Sequence, residues 1–274
     1  MPGELSSDAL EAAKKLDSLN IPVVFTKLGE NITSLLEAHE TTEHYLKFID
    51  DIESAGINGE ISVKLTQIGF DLSIEETHKN IVRIIKKALP LNRIVWIDME
   101  GSSYTETTVE FYERLKKVYT NVGLCIQAYL HRSEGDLNRL LKINANIRLV
   151  KGAYREPENV AIRNKPEIDS NYLKLSVMLL KHLKNNEIKA AFATHDMNLV
   201  NLIQAEALKL DSPADRYEIQ MLYGIRTITQ KQIASQGKKI RVLISYGQSW
   251  YAWYLRRLAE RPANMLFVIK NIFK

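Results

Sequence analysis

One cysteine, Cys125, stands among 274 residues, so no disulfide can close within the chain. It sits in the apolar run 122–128, where a thiol serves more naturally as a small buried hydrophobe than as a nucleophile. No apolar stretch approaches the ~18 residues that a membrane-spanning helix needs. Residues 1–20 lack the basic head and apolar middle of a secretory signal. Glu4, Asp8, Glu11 and Asp17 make them too acidic for an organelle-targeting peptide. A reducing, cytoplasmic location is the expectation. No Pro-, Gly- or Ser-rich linker breaks the sequence, so a single domain over residues 1–274 is expected. An excess of one charge is also missing: 37 basic and 33 acidic side chains are interspersed, for a net +4. With no basic motif organised around stacking aromatics, nucleic acid is not an expected partner. The six histidines, at 39, 44, 78, 131, 182 and 195, form neither HExxH nor another close ligand spacing, so no metal is expected.

What the chain does have is a repeating unit. Short β-branched or aromatic runs recur at 23–26, 61–65, 93–98, 122–128, 147–150, 189–194, 216–220 and 240–244. Several are too apolar to be half-exposed, as parallel strands covered on both faces require. Amphipathic segments fill the gaps. Ile74, Ile81, Ile84, Ile85 and Leu89 form one apolar face; Val109, Tyr112, Leu115 and Tyr119 another. Leu173, Val177, Leu180 and Leu183 follow, then Leu199, Leu202, Ile203 and Leu208. Asp71 and Ser73 offer caps for the segment beginning near Ile74. Eight strand–helix pairs close most economically as an α/β, (β/α)8 TIM-like barrel. A doubly wound open sheet would carry a Gly-rich phosphate loop after its first strand; the sequence there, Phe25-Thr26-Lys27-Leu28-Gly29-Glu30, matches neither GxGxxG nor GxxxxGK[ST].

Barrel enzymes place their chemistry at the C-terminal ends of the strands. Polar residues interrupt the apolar runs at those points. Lys64 shares a strand face with Ser62, and its amine needs an anion beside it, unless it snorkels to solvent. Asp98 ends the third run and can pair with Lys64 from the neighbouring strand, while Ser102 or Ser103 lies nearer the next helix to cap it. Arg148 and Lys151 bring two cations to the fifth run, and Gly152 permits close approach of a flat or phosphorylated ligand. Gln127 is polar within an apolar strand. Thr194 and His195 close the sixth run, where a cofactor contact competes with a helix cap. Finally, the stretch 250–260 reads as a helix with an aromatic start and the pair Arg256-Arg257. Glu260 lies four and three residues on, close enough to hold an arginine fork that grips a carboxylate. A surface ion pair is the plainer reading of that spacing.

These stretches, in order, resemble the proline dehydrogenase family. The resemblance is carried by Ile61-Ser62-Val63-Lys64-Leu65, Ile97-Asp98, Gln127-Ala128-Tyr129-Leu130, 148–154 (RLVKGAY), Phe192-Ala193-Thr194-His195, 220–224 (QMLYG) and 256–261 (RRLAER). It implies a flavoenzyme barrel with non-covalent FAD that oxidises L-proline to Δ1-pyrroline-5-carboxylate and passes electrons to a quinone. It also implies a transient, peripheral contact with the inner membrane. By this resemblance Lys64, Arg256 and Arg257 grip the substrate carboxylate and Glu260 holds that clamp. Asp98 is the acid joined to Lys64, and Arg148 lies beside the flavin. Met99, Gln127, Lys151, Gly152, Ala153, Thr194 and His195 surround FAD, and Tyr154 edges the substrate site.

Two departures qualify it. The family commonly has a tyrosine four positions before the glycine that is here Gly247, packed on the substrate ring; branches that prefer hydroxyproline replace it, and this chain has Leu243. Leucine brings no partner for an added hydroxyl, so proline or a more apolar cyclic imino acid is expected over hydroxyproline. The chain also reaches its first strand without the longer helical arm of many members. Two other classes compete: an aldolase or phosphate-handling barrel with Lys64 as Schiff base, and a non-catalytic imino-acid-binding protein.

Overall fold

A computed structural model describes residues 1–250. Eight parallel strands close a barrel in sequence order, β1 against β8. They are β1 (Val23–Lys27), β2 (Gly59–Val63), β3 (Val95–Ile97), β4 (Val122–Gln127), β5 (Asn146–Val150), β6 (Ala190–Ala193), β7 (Tyr217–Leu222) and β8 (Ile240–Tyr246). The expected (β/α)8 barrel is therefore the fold, and each of the eight apolar runs became a strand. The described helices are α1 (Ser6–Asp17), α2 (Leu35–Ser54), α3 (Ile74–Ala88), α4 (Ser102–Lys116), α5 (Ser133–Leu141), α6 (Lys165–Leu183), α7 (Met197–Lys209) and α8 (Thr227–Ser235).

The helix α1 precedes β1. It buries Ala9, Ala12, Ala13 and Leu16, a stripe at helical spacing, against β8 and β1. Glu4, just ahead of it, accepts the Trp250 indole N–H at 2.9 Å, beyond the end of β8. So α1 starts near the end of β8 and lies against β8 and β1.

Three helices, α2, α3 and α7, begin with a side chain that caps the first turn. Ser73 caps α3 by accepting the Glu76 N–H, and Asp196 caps α7 by accepting that of Asn198. The first turn of α4 is capped from a distance instead: Glu156, in the loop after β5, accepts both the Ser102 N–H (2.7 Å) and its hydroxyl (2.5 Å). Neither Ser102 nor Ser103 is the cap, because Gly101 precedes the helix.

The main core lies between barrel and helices. A second, smaller apolar cluster fills the barrel itself: Val24, Ile94, Trp96 and Ala191, with Leu243 packed on them. Trp96 is its plug. A side chain at Gly123 would meet its ring at 2.4 Å, so β4 needs glycine there. The indole N–H donates to Glu60 (2.7 Å), and Arg241 bonds Glu218 (2.8 Å) and the Val23 carbonyl (3.0 Å), with Glu60 at 3.5 Å. The lower interior is thus closed by one aromatic ring and a partnered charge cluster.

Candidate active site

Above the Trp96 plug, three side chains from strands far apart in sequence converge. Arg148, only 2% exposed, donates from Nη1 to the Ser62 hydroxyl and to Asp98 Oδ1, each at 2.8 Å. The Ser62 hydroxyl in turn donates to Asp98 Oδ1 at 2.7 Å. The guanidinium lies over the Trp96 ring, 4.8 Å from its centre. Its Nε and Nη2 are buried with no partner. A fully buried arginine with two unbonded donors is costly to keep, which makes these atoms the strongest sign of a ligand.

Lys64 stands one residue past the end of β2, and its Nζ donates to Glu30 at 3.2 Å. Both are mostly buried, at 12% and 21% side-chain exposure. The expected Lys64–Asp98 pair is not formed; Asp98 belongs to Arg148, and Lys64 to the loop after β1. That loop is pinned by Gln67, whose amide donates to the carbonyls of Lys27 (2.8 Å) and Gly29 (2.6 Å). Gln127 donates to the Glu100 carbonyl at 3.3 Å, and its own Oε1 is buried without a partner.

On the opposite rim Lys151 bridges Asp169 and Asp196, and Lys165 reaches the same two carboxylates. Burial works against ionising either acid, but the two ammonium groups outweigh it and hold both below the ordinary carboxylate range. Thr194 accepts the Asp196 N–H through its hydroxyl (3.1 Å), and His195 Nε2 accepts the Leu222 N–H (3.3 Å). Met99 is buried in the same mouth, and Ala153 and Tyr154 are half-buried in the loop after β5. Gly152 has φ +123°, and a Cβ there would come within 2.2 Å of the Tyr129 ring. Tyr129 by itself thus requires glycine at 152. Cys125, 5% exposed, has its thiol pushed up to about 12, by burial first and then by Asp98, so it is inert as a nucleophile.

Leu243 faces the barrel interior, packed on the Trp96 cluster. Arg256, Arg257 and Glu260 lie outside the described residues. The sequence reading missed Ser62 as a bridge, Glu30 as the partner of Lys64, and the unpartnered Thr26, Gln220 and Ser245 side-chain oxygens inside the barrel. Each was visible only as a polar residue in or beside an apolar run.

These orphaned atoms test whether the mouth suits a flavin. A heteroaromatic ring with alternating acceptors and an N–H needs donors and acceptors in a buried, partly apolar slot. Arg148 offers two donors and Gln127 an acceptor, so the residues fit. A recess of about 400 Å³ at the opposite, N-terminal end of the barrel is lined by Glu60, Arg241, Glu218 and Lys189 among others. Arg241 is already matched to the two carboxylates there, and among the described residues no unpartnered buried atom lines that recess, so the candidate site is the C-terminal mouth. Among the described residues no helix is long and apolar enough to cross a membrane.

Comparison with known proteins agrees. Proline dehydrogenase 1 of Bacillus subtilis (strain 168) is 37% identical over 272 residues, covering 99% of this chain and 89% of its own length. Proline dehydrogenase of Deinococcus radiodurans is 36% identical over 281 residues, covering 99% and 88%. Among solved structures, proline utilization A of Bdellovibrio bacteriovorus inactivated by N-propargylglycine superposes with a TM-score of 0.85 at 27% identity; the match covers 94% of this chain but spans only 32% of that protein. A family model described as proline dehydrogenase matches residues 9–270, and the chain belongs to the proline dehydrogenase family.

Proposed function

We propose that residues 1–274 form one FAD-dependent catalytic domain that removes a hydride from C5 of L-proline, gives Δ1-pyrroline-5-carboxylate, and passes the electrons to a quinone. The protein acts in the cytoplasm with a peripheral, transient contact at the inner membrane. The observation that carries this reading is the buried, half-unpartnered guanidinium of Arg148, fixed by Asp98 and Ser62. FAD, when bound, supplies the hydride acceptor.

The protein's part is positioning and electrostatics. Asp98 and Ser62 hold Arg148 by one end, which leaves its other two nitrogens to favour negative charge arriving on the cofactor. Lys64, with Arg256 and Arg257 beyond the described residues, grips the substrate carboxylate, and Glu260 steadies the arginines. Glu30 keeps the Lys64 ammonium aimed and partly desolvated until the substrate carboxylate takes its place. Met99, Gln127, Lys151, Gly152, Ala153, Thr194 and His195 surround the cofactor, and Tyr154 borders the substrate. Leu243 gives the substrate ring an apolar wall, which favours proline over trans-4-hydroxyproline.

An anaerobic optical titration of the FAD-loaded protein with proline tests this directly. Bleaching of the oxidised-flavin band is expected on adding proline, with a weaker response to trans-4-hydroxyproline. Protein that takes up no FAD, or a band that proline leaves unchanged, overturns the reading.

A further inference from the structure

Glu100 is a buried carboxylate, 5% exposed, for which the reaction above has no use. Both of its oxygens are held by one residue: the Thr66 N–H reaches Oε1 at 3.2 Å and the Thr66 hydroxyl reaches Oε2 at 2.7 Å. The same hydroxyl accepts the Asn31 N–H at 3.3 Å. Thr66 lies two residues after Lys64, and Asn31 one after Glu30, so the two links tie together the segments that carry the Lys64–Glu30 ion pair. The Gln127 amide donates to the Glu100 carbonyl. One residue therefore joins the ends of β1, β2, β3 and β4.

Burying a carboxylate is expensive, and packing alone would be served better by an apolar side chain. Burial raises the Glu100 carboxyl above the ordinary range, with Lys64 pulling it down and Glu30 pushing it up, so the group lies within electrostatic reach of the ion pair. What an ionised carboxylate offers over a leucine or an amide is two acceptors of fixed geometry.

We propose that Glu100 is the positioning residue for the carboxylate-binding end of the site: it clasps Thr66, and through Thr66 the Asn31 amide, so that Lys64 and Glu30 move as one unit. This rests on the assignment of Lys64 to the substrate carboxylate. Without the clasp, Lys64 samples orientations in which the substrate carboxylate finds no cation, and binding weakens while the hydride step, governed by Arg148, continues.

The test uses the FAD-loaded protein with Glu100→Gln, Thr66→Val, Thr66→Ser and the Glu100→Gln/Thr66→Val double variant. Steady-state kinetics with proline are read beside the rate at which acetic anhydride labels Lys64, followed by peptide mass. Glutamine puts an NH2 where one Thr66 donor needs an acceptor; losing one such charge-assisted bond is expected to raise KM about tenfold and leave kcat within about twofold. Lys64 labelling becomes severalfold faster. Thr66→Val gives the same signature, Thr66→Ser keeps both donors and the wild-type KM, and the double variant is no worse than either single one. A purely structural Glu100 would lower the melting temperature or FAD content while the KM and Lys64 labelling of the remaining holoprotein stayed at wild type; that result overturns the clasp. If Glu100→Gln does not fold, Thr66→Val decides. If the wild-type protein does not oxidise proline, the functional reading falls, and the labelling rates alone still uphold or refute the clasp.

Discussion

Replacing Gly152 by alanine probes how the mouth is built. At φ +123° an L side chain is strained, a cost of about 1–3 kcal/mol. The new Cβ would also lie 2.2, 2.4 and 2.5 Å from three atoms of the Tyr129 ring, all well inside van der Waals contact. The ring cannot swing freely: Tyr129 is 7% exposed and packs with Leu130 and Ala161. Its backbone is held at both ends, with its N–H on the Lys151 carbonyl and its C=O on the Ile162 N–H, each at 2.8 Å. Overpacking of that kind adds about 1–3 kcal/mol. The sum, about 2–6 kcal/mol, should lower the melting temperature by about 4–24 °C for a chain of this size. Because Tyr129 follows Gln127 by two residues, FAD affinity measured by flavin-fluorescence titration should weaken as well. Tyr129→Ala combined with Gly152→Ala separates the two costs: removing the ring leaves only the backbone strain, so the double variant should be less unstable than the two single losses added together. Strict additivity, or a Gly152→Ala protein that melts within about 2 °C of wild type, would refute the steric account.

Arg148→Ala should lower kcat/KM for proline about 100-fold or more and weaken FAD binding, because it removes the buried cation and leaves Asp98 with only Ser62; unchanged kinetics at full FAD occupancy would remove Arg148 from the mechanism. His44, bonded to Tyr246 at 2.8 Å, is lowered from 6.5 to about 4, by burial first and then by Lys27 and Lys47. The folded state thus holds it neutral while the unfolded chain binds a proton near 6.5, so its contribution is complete above that pH and is lost as the pH falls towards 4. The slope is at most about 1.4 kcal/mol per pH unit, and roughly half that for a partly exposed ring. Urea midpoints of His44→Gln should therefore change less between pH 7 and pH 5 than those of wild type (approximate test conditions); identical curves would exclude His44 as the source.

The barrel was legible because parallel strands covered on both faces are largely apolar, and most of the eight runs stand out; the seventh, 216–220, is short and mixed in polarity and was the least secure, yet it forms β7. Helix faces were only partly so. Ile81, Ile84 and Ile85 are buried as the periodicity demands, yet Ile74 and Leu89 at the two ends of α3 are 42% and 44% exposed. In α7 Leu202 and Leu208 are exposed while Val200 and Ala207 are buried. An apolar residue can satisfy the spacing and still project past the wall it would pack on. The Lys64–Asp98 pairing failed for a related reason. Alternation and register set Asp98 opposite Lys64, since Val63 pairs with Ile97, but they do not say where the side chains turn: Lys64 reaches out to Glu30, while the Asp98 carboxylate takes Ser62 and is claimed by Arg148 from across the barrel. Sequence adjacency of strands cannot reveal a bond that crosses the interior.

What separates the two ends of the barrel's interior is whether polar side-chain atoms are satisfied; the unpartnered Arg93 Nη1 and Asn121 Oδ1, near the N-terminal strand starts, belong to side chains that bond α2 and α3 on the outside. At the N-terminal end Glu60, Glu218, Arg241, the Trp96 N–H and the Val23 carbonyl all hold one another, as packing for stability alone would select. In the middle and C-terminal half, Thr26, Gln127, Arg148, Gln220 and Ser245 each keep a buried polar atom with no partner among the described residues. Every such atom disfavours the ligand-free fold, and their cost grows with burial. A fold selected only to be stable would have replaced them with apolar side chains, as it did at Val24, Ala191 and Leu243 on the same inner face. Their persistence in that half is the ground for proposing that binding and chemistry lie there, and a ligand that meets several of them at once would stabilise the fold by the same interactions that align it for reaction.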